Sequence, residues 1–411
     1  MLAVNLRRNI IGTVFVRGGI LVLTFAITVV VARLWHAEGT GIVKLFVADI
    51  GIISAFCNIF TAGSVSYYIR KVGLSKLATQ AYIWVFIVSG ILAFILSLRS
   101  EGSHVTLLLF IVSTLLGFVA FHSSLFIGCQ KIPYYNIITF LQPFLLLSFM
   151  LFFYYVFHDK FTYYAYFYAY IISLAIIFII VQLITRKMLG KSKFELDKKT
   201  IKDSFNFGWQ VELSNLIQFL NYRFSMYALA FLSGVKSAGI FAIGINVAEA
   251  IWIFSKSISL VQYSNVLQKG DTVETRKETT KVSYISLLAS AACIGIVALL
   301  PAHIFAWIFR GEEFSYVKTI ILLMAPGILA IAVSNVYGHF FSAIGKLKIL
   351  IIKSAAGLVV TILLSLLLIS KLGMAGAGIV NSSAYVVSSI ILIVVFFRKR
   401  NHESQIPFHN E

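Results

Sequence analysis

Charged residues make up only 12% of the 411-residue chain, about half the roughly 25% of an average soluble domain. Acid is the rarer sign, with 16 Asp and Glu against 34 Lys and Arg. So little charge excludes a water-soluble fold. Cysteine is nearly absent as well. The three present, Cys57, Cys129 and Cys293, are far apart and lie in or beside apolar segments. Neither a disulfide framework nor a zinc knuckle is available, so no metal and no cofactor is expected. There is no Walker A loop, HExxH or nucleophile elbow. No stretch outside the apolar segments is long enough for a catalytic domain. The chain therefore does not read as an enzyme, and an ATP-driven pump would need a partner subunit. The alternation of barrel strands is missing too.

What the chain has is apolar length, with 59% hydrophobic residues and a mean hydropathy of +0.92. Lipid offers no partner to a backbone N–H or C=O, so a crossing needs a helix of about 20 mostly apolar residues. About twelve segments qualify, at roughly 10–34, 42–69, 80–98, 104–128, 134–157, 162–184, 205–232, 238–264, 282–309, 319–343, 349–369 and 375–397. The expected class is an all-α integral membrane protein. The first segment follows Arg7 and Arg8 as a signal peptide would. Its apolar run is too long for that and no small-x-small site follows, so it is expected to stay as a helix.

Positively charged loops stay cytoplasmic, and roughly 22 Lys and Arg fall on one set of alternate connections against roughly seven on the other. Both termini are then cytoplasmic. The net charge of +18 becomes a topology signal, and nucleic acid is not expected as a partner. The longest and most basic connection runs from Thr185 to Ser204. The expected organisation is an N-terminal six-helix bundle at 1–184, a basic cytoplasmic linker at 185–204, a C-terminal six-helix bundle at 205–397 and a cytoplasmic tail at 398–411. Each half opens alike, Gly12 leading to Gly41-Ile42 and Gly208 to Gly239-Ile240. Two pseudo-symmetric bundles about an axis along the membrane normal follow, an arrangement used by alternating-access transporters with a central cavity.

A charge in mid-membrane costs about 2.5–3.5 kcal/mol on insertion scales, so one that is kept there faces a wet cavity or a partner. Arg17, Asp49, Glu212, Arg223, Glu249 and Lys256 lie deep, all on the first two segments of each half. Lys44 and Lys353 sit nearer helix ends, where snorkelling is expected. Asn206, Gln210, Ser214, Gln218, Asn221 and Ser225 form one stripe on the seventh segment, and Asn246, Glu249 and Lys256 share a face of the eighth. These groups are read as cavity lining, the alternative being hydrogen-bonded glue between helices. Asp49, Glu212 and Glu249 are the candidates for ion coupling. Glu249 comes first, although Lys256 on its face makes an ion pair the competing explanation. His122 and His339 read as hydrogen-bonded packing histidines.

Asn9-Ile10-Ile11-Gly12 with Arg17, and Glu38-Gly39-Thr40-Gly41-Ile42, resemble the start of the polysaccharide exporters and O-antigen flippases, relatives of the multidrug and toxin exporters. The second half is closer still. Phe207-Gly208-Trp209, Asn221-Tyr222-Arg223, Ala238-Gly239-Ile240-Phe241-Ala242, Ala248-Glu249, Ala325-Pro326-Gly327 and Ala343-Ile344-Gly345-Lys346 are similar to that family's phrases in their usual order. The resemblance implies a MATE-like pair of six-helix bundles. It implies transfer of an undecaprenyl-diphosphate-linked oligosaccharide, an O-antigen, capsule or exopolysaccharide repeat unit, to the outer leaflet of the bacterial plasma (inner) membrane. Membrane lipids surround such a protein, and a glycan polymerase and chain-length proteins are candidate partners. Arg17, Arg223 and Lys256 would then pair with the diphosphate or acidic sugars, and Asn206, Gln210, Gln218, Asn221 and Asn246 with sugar hydroxyls. Members commonly carry Asp two positions after the arginine matched by Arg223, where Ser225 stands, so no coupling role carries over there. A drug/cation antiporter of the same superfamily and a non-transporting scaffold or enzyme of polysaccharide assembly stay open as alternatives.

Overall fold

The computed structural model describes the backbone of residues 2–98, 103–157, 162–190 and 193–403. The side chains of residues 2–15 and of Ser214 lie outside the described part, so the expectations for Asn9 and Ser214 are not placed. Regular structure among the described residues is helical. In chain order the helices are α1 (Leu2–Thr61), α2 (Gly63–Val72), α3 (Leu74–Ser97), α4 (Ser103–Gly128), α5 (Ile132–Phe157), α6 (Tyr164–Leu189) and α7 (Lys198–Ser233). They continue with α8 (Val235–Lys269), α9 (Val273–Leu299), α10 (His303–Phe309), α11 (Tyr316–Ala343), α12 (Leu347–Leu364) and α13 (Ser370–Glu403).

Nine described stretches are long and apolar enough to cross a membrane, and two of them, Val16–Val72 and Lys348–Arg398, run to 57 and 51 residues, enough for two crossings each. Between its two crossings each long stretch breaks at one residue. His36 has φ 51 and ψ −164, a left-handed excursion that costs a non-glycine residue about 1–3 kcal/mol. The Thr40 hydroxyl donates to the His36 carbonyl at 2.6 Å and supports the turn. Gly373, with φ 55 and ψ −128, makes the second break, where glycine pays no Cβ penalty. α7 is long enough at 36 residues but carries the amide stripe, and with it the about twelve expected crossings are accounted for.

Two boundaries differ from expectation. The helix expected over 42–69 stops at Thr61, because Ala62 leaves helical space with φ −102 and ψ −107. The helix expected over 282–309 is divided into α9 and α10. Leu300 is extended, with φ −66 and ψ 132, as a residue before proline prefers. Pro326 leaves α11 continuous. The N–H of Gly327 turns to the Ser382 hydroxyl of α13 at 2.9 Å, and a Cβ on Gly327 would meet the Ser382 Cα at 2.6 Å. A neighbouring helix thus takes up a backbone donor near the proline, as lipid cannot.

The chain packs into two compact units, Met1–Trp35 with Ile42–Leu216 and His36–Gly41 with Ile217–Glu411. The division falls inside α7. Residues of the basic connection dock onto the start of α3 in the first unit. The Lys193 N–H donates to Ser75 at 3.0 Å, the Glu195 N–H donates to Thr79 at 3.1 Å, and Lys76 lies 3.6 and 3.7 Å from the Glu195 and Asp197 carboxylates. Asp197 opens α7 by accepting from the Thr200 hydroxyl at 2.5 Å and its N–H at 3.3 Å, as a capping acid does. Gly208 then lets α7 close onto the Ile59 carbonyl, a space that a Cβ would fill.

In the second unit, buried Arg276 of α9 ties the turn after α8 to the end of α13. Its Nε and Nη2 donate to Asp271 at 2.6 and 2.9 Å, and its Nη1 donates to the Phe396 carbonyl of α13 at 2.9 Å. Its guanidinium also stands 5.6 and 5.3 Å from the ring centres of Phe340 and Phe396. Those rings belong to an apolar cluster with Val266, Tyr337, Phe341 and Leu392.

Candidate functional site

Each unit carries its own set of intramembrane polar groups. In the first, Arg17 is exposed on α1 and Asp49 is buried on the second half of the same helix. Lys44 is half-buried and its Nζ donates to the Thr28 hydroxyl at 3.1 Å. Asn206 and Gln210 are exposed on the first turns of α7. Glu212, 5% exposed, is held by neutral groups. The Asn215 amide donates to it at 3.4 Å, Asn58 of α1 bonds to it, and it makes no ion pair among the described residues.

In the second unit, Arg223 of α7 reaches Glu249 of α8, with Nη2 3.0 Å from Oε1. Glu249 is therefore paired across helices, and its expected rival partner Lys256, two turns further along α8, is not the one it takes. An aromatic corner frames the pair. Tyr385 of α13 stands edge-on to Tyr222 and Trp252, with ring centres 5.5 and 5.7 Å apart. Gln218 donates to the Tyr222 hydroxyl at 2.6 Å.

The amide stripe of α7 divides between two uses. Asn221 is buried and accepts from the Thr361 hydroxyl of α12 at 2.7 Å. Ser225 donates to Asn381 of α13. Both are glue between helices, a different use from the cavity lining expected of Asn221. Helical period puts Asn221 in line with Gln218 but does not say which neighbour covers it. Asn246 is half-buried on α8.

Lys353 departs from the snorkelling expected of it. It is only 9% exposed, where α13 packs on α12 and the Ser388 hydroxyl of α13 donates to the Lys353 carbonyl at 3.1 Å. It lies near enough to half-buried Lys256 for the two to repel, and His339 of α11 feels both. The Ser259 hydroxyl donates to the Lys256 carbonyl at 3.0 Å, so it accepts from His339 Nδ1 at 2.7 Å. Buried Asn335, one turn before His339, has an amide nitrogen without a partner. Two lysines, an imidazole and an amide donor thus gather where no described carboxylate pairs with either lysine. The signal was there in Lys353, an apolar-segment lysine with no acid at helical spacing.

No group of three or more His, Cys, Asp or Glu able to hold a metal occurs among the described residues. What the arrangement supplies is charge and hydrogen bonding inside helical units. The profile of the family described as polysaccharide biosynthesis protein matches residues 6–263. Comparison with curated protein sequences returns no match. Among solved structures, an inward-facing multidrug resistance MATE family transporter of the MOP superfamily is similar over 94% of this chain and 96% of its own, at 13% identity and a TM-score of 0.75. The lipid II flippase MurJ, in an inward closed conformation, is similar over 98% of this chain and 93% of its own, at 14% identity and a TM-score of 0.73. A MOP superfamily transporter from Pyrococcus furiosus covers 96% of each chain at 12% identity and a TM-score of 0.62. With the family match over more than half its length, the chain belongs to the polysaccharide biosynthesis protein family, as a multi-span membrane protein that shares its fold with the MATE and MurJ structures.

Proposed function

We propose that the protein is a flippase that carries an undecaprenyl-diphosphate-linked oligosaccharide across the bacterial plasma membrane by alternating access, with both termini cytoplasmic. The observation that carries this reading is the charge of the second unit. Its one deep carboxylate, Glu249, is taken by Arg223, which leaves Lys256 and Lys353 beside His339 with no described acid to pair with. A cation exporter would place the opposite sign there. A diphosphate answers such a group with charge-assisted hydrogen bonds. Arg17 and Arg223 are assigned to the same anionic cargo, and Asn206, Gln210, Gln218 and Asn246 to sugar hydroxyls. For ion coupling, Glu212 replaces Glu249 as first choice. It is buried among neutral amides, so loading a proton does not first have to break an ion pair, and Asp49 stands second. Without the protein, the lipid-linked oligosaccharide is expected to accumulate in the inner leaflet and surface glycan to vanish. Unchanged surface glycan with no accumulated intermediate would overturn the reading.

A further inference from the structure

A cavity of about 260 Å³ opens among the first turns of α3, the end of α4 and the last turns of α6, lined by Tyr82, His122, Gln182, Thr185, Arg186 and Gly190. All three helices are apolar enough to span a membrane, yet this wall carries a chain of side-chain hydrogen bonds. Gln182 Nε2 donates to the Tyr82 oxygen at 2.9 Å. The phenol oxygen lies 2.8 Å from His122 Nε2, and His122 Nδ1 lies 2.8 Å from the Thr185 hydroxyl. Both imidazole nitrogens are in use. Two groups remain for a ligand, the Gln182 carbonyl oxygen as acceptor and the Arg186 guanidinium as donor, which has no ion pair among the described residues. The pairing of one acceptor with one cation fits an anion that also carries hydroxyls.

The surroundings of Arg186 decide whether that anion is soluble. Arg186 is exposed and continues a face of α6 with Ile179 and Leu183, 58% and 60% exposed, at helical offsets of seven and three. An apolar face open to hydrocarbon leads straight to the guanidinium. Arg186 also lies one turn before the end of α6 at Leu189, hence about 5 Å from it, at the level of headgroup phosphates. Basic pockets between helices on the cytoplasmic side suit anionic lipid, and this end is cytoplasmic by the distribution of Lys and Arg.

We propose that the first unit holds a binding site for an anionic glycerophospholipid of the inner leaflet. Its acyl chains lie along Ile179 and Leu183, its phosphodiester sits on Arg186, and its glycerol headgroup enters the cavity to reach Gln182. A zwitterionic headgroup would bring its ammonium against Arg186 and is disfavoured. The site is separate from the cargo groups, so its test does not depend on the transport reading.

The experiment is native mass spectrometry of the full-length protein from mixed micelles of phosphatidylglycerol, phosphatidic acid and phosphatidylethanolamine. Phosphatidylglycerol is expected to be retained over phosphatidylethanolamine. Arg186→Gln is expected to lower that retention roughly fivefold, the weight of one basic residue at an anionic surface. Gln182→Ala should reduce phosphatidylglycerol but spare phosphatidic acid, which lacks the second glycerol. Lys187→Gln, an exposed neighbour outside the cavity lining, should change neither. Equal retention of the zwitterionic lipid, no loss in Arg186→Gln, or an equal loss in Lys187→Gln would overturn the site. Full displacement of phosphatidylglycerol by soluble glycerol 3-phosphate would overturn the lipid as its occupant.

Discussion

Arg223 and Glu249 stand 3.0 Å apart with side chains 23% and 33% exposed. That places the pair between solvated ion pairs, worth about 0–1 kcal/mol, and buried ones, whose breakage costs about 3–5 kcal/mol. With the exposure discounted, neutralising one partner costs about 2 kcal/mol. In a helical unit of this size that corresponds to roughly 4–8 °C of melting temperature. Arg223→Gln and Glu249→Gln should each show this loss in detergent melts. The double variant, which strands no charge, should melt within about 2 °C of the parent. Surface glycan, measured in a strain lacking the parental protein, then separates packing from cargo binding. If Arg223 also meets the diphosphate, the double variant regains stability and remains without surface glycan. A double variant that restores both would show Arg223 to be a packing group. Single variants that melt like the parent would show that the pair contributes nothing to the fold.

Arg276→Ala removes a two-pronged contact to Asp271 and a donor to the Phe396 carbonyl, so a loss of about 3 kcal/mol is expected in the same melts. Arg276→Lys should recover less than half of it, since an ammonium cannot make the fork. Gly208→Ala should sharply reduce folded protein by gel filtration, because its Cβ would meet the Ile59 carbonyl, whereas Gly295→Ala, with nothing within 4 Å, should be tolerated. The Asp197 carboxyl is held below the usual carboxylate range, chiefly by the Thr200 hydroxyl. A depressed folded-state value means that its cap is fully present above the ordinary carboxylate pKa and is lost as pH falls through the folded one. Amide protection at the start of α7, with the intrinsic slowing of exchange at lower pH divided out, should therefore fall on acidification, and Asp197→Ala should remove that dependence.

Hydropathy made the crossings legible, because lipid forces each into a helix regardless of partners. It could not show that His36 and Gly373 alone separate crossings that otherwise run on as helix, since a one-residue break leaves no polar loop to read. Pro301 marks the interruption of the ninth segment in the sequence, and the pre-proline preference of Leu300 is what the structure shows there. The site was half legible. Arg223, Glu249 and Lys256 stand out against apolar neighbours, yet the pairing of Arg223 with Glu249 joins two helices and has no local signature. Asn221 shows the same limit: its period is visible, while Thr361, which claims its oxygen, is 140 residues away. Lys353 was discounted by its distance from an expected helix end, and its burial follows from how α13 covers α12. His122 was legible as a packing histidine, though not the cavity it helps to line.

The most direct test of the cargo assignment is transfer of a polyprenyl-diphosphate-linked oligosaccharide across vesicles containing only the purified protein, compared with Lys256→Gln/Lys353→Gln. The account predicts transfer by the parent and loss of at least roughly tenfold in the double variant, the weight of one charge-assisted hydrogen bond, with melting unchanged or raised because two repelling cations are gone. Parental transfer by the double variant, or no transfer by the folded parent, would contradict it.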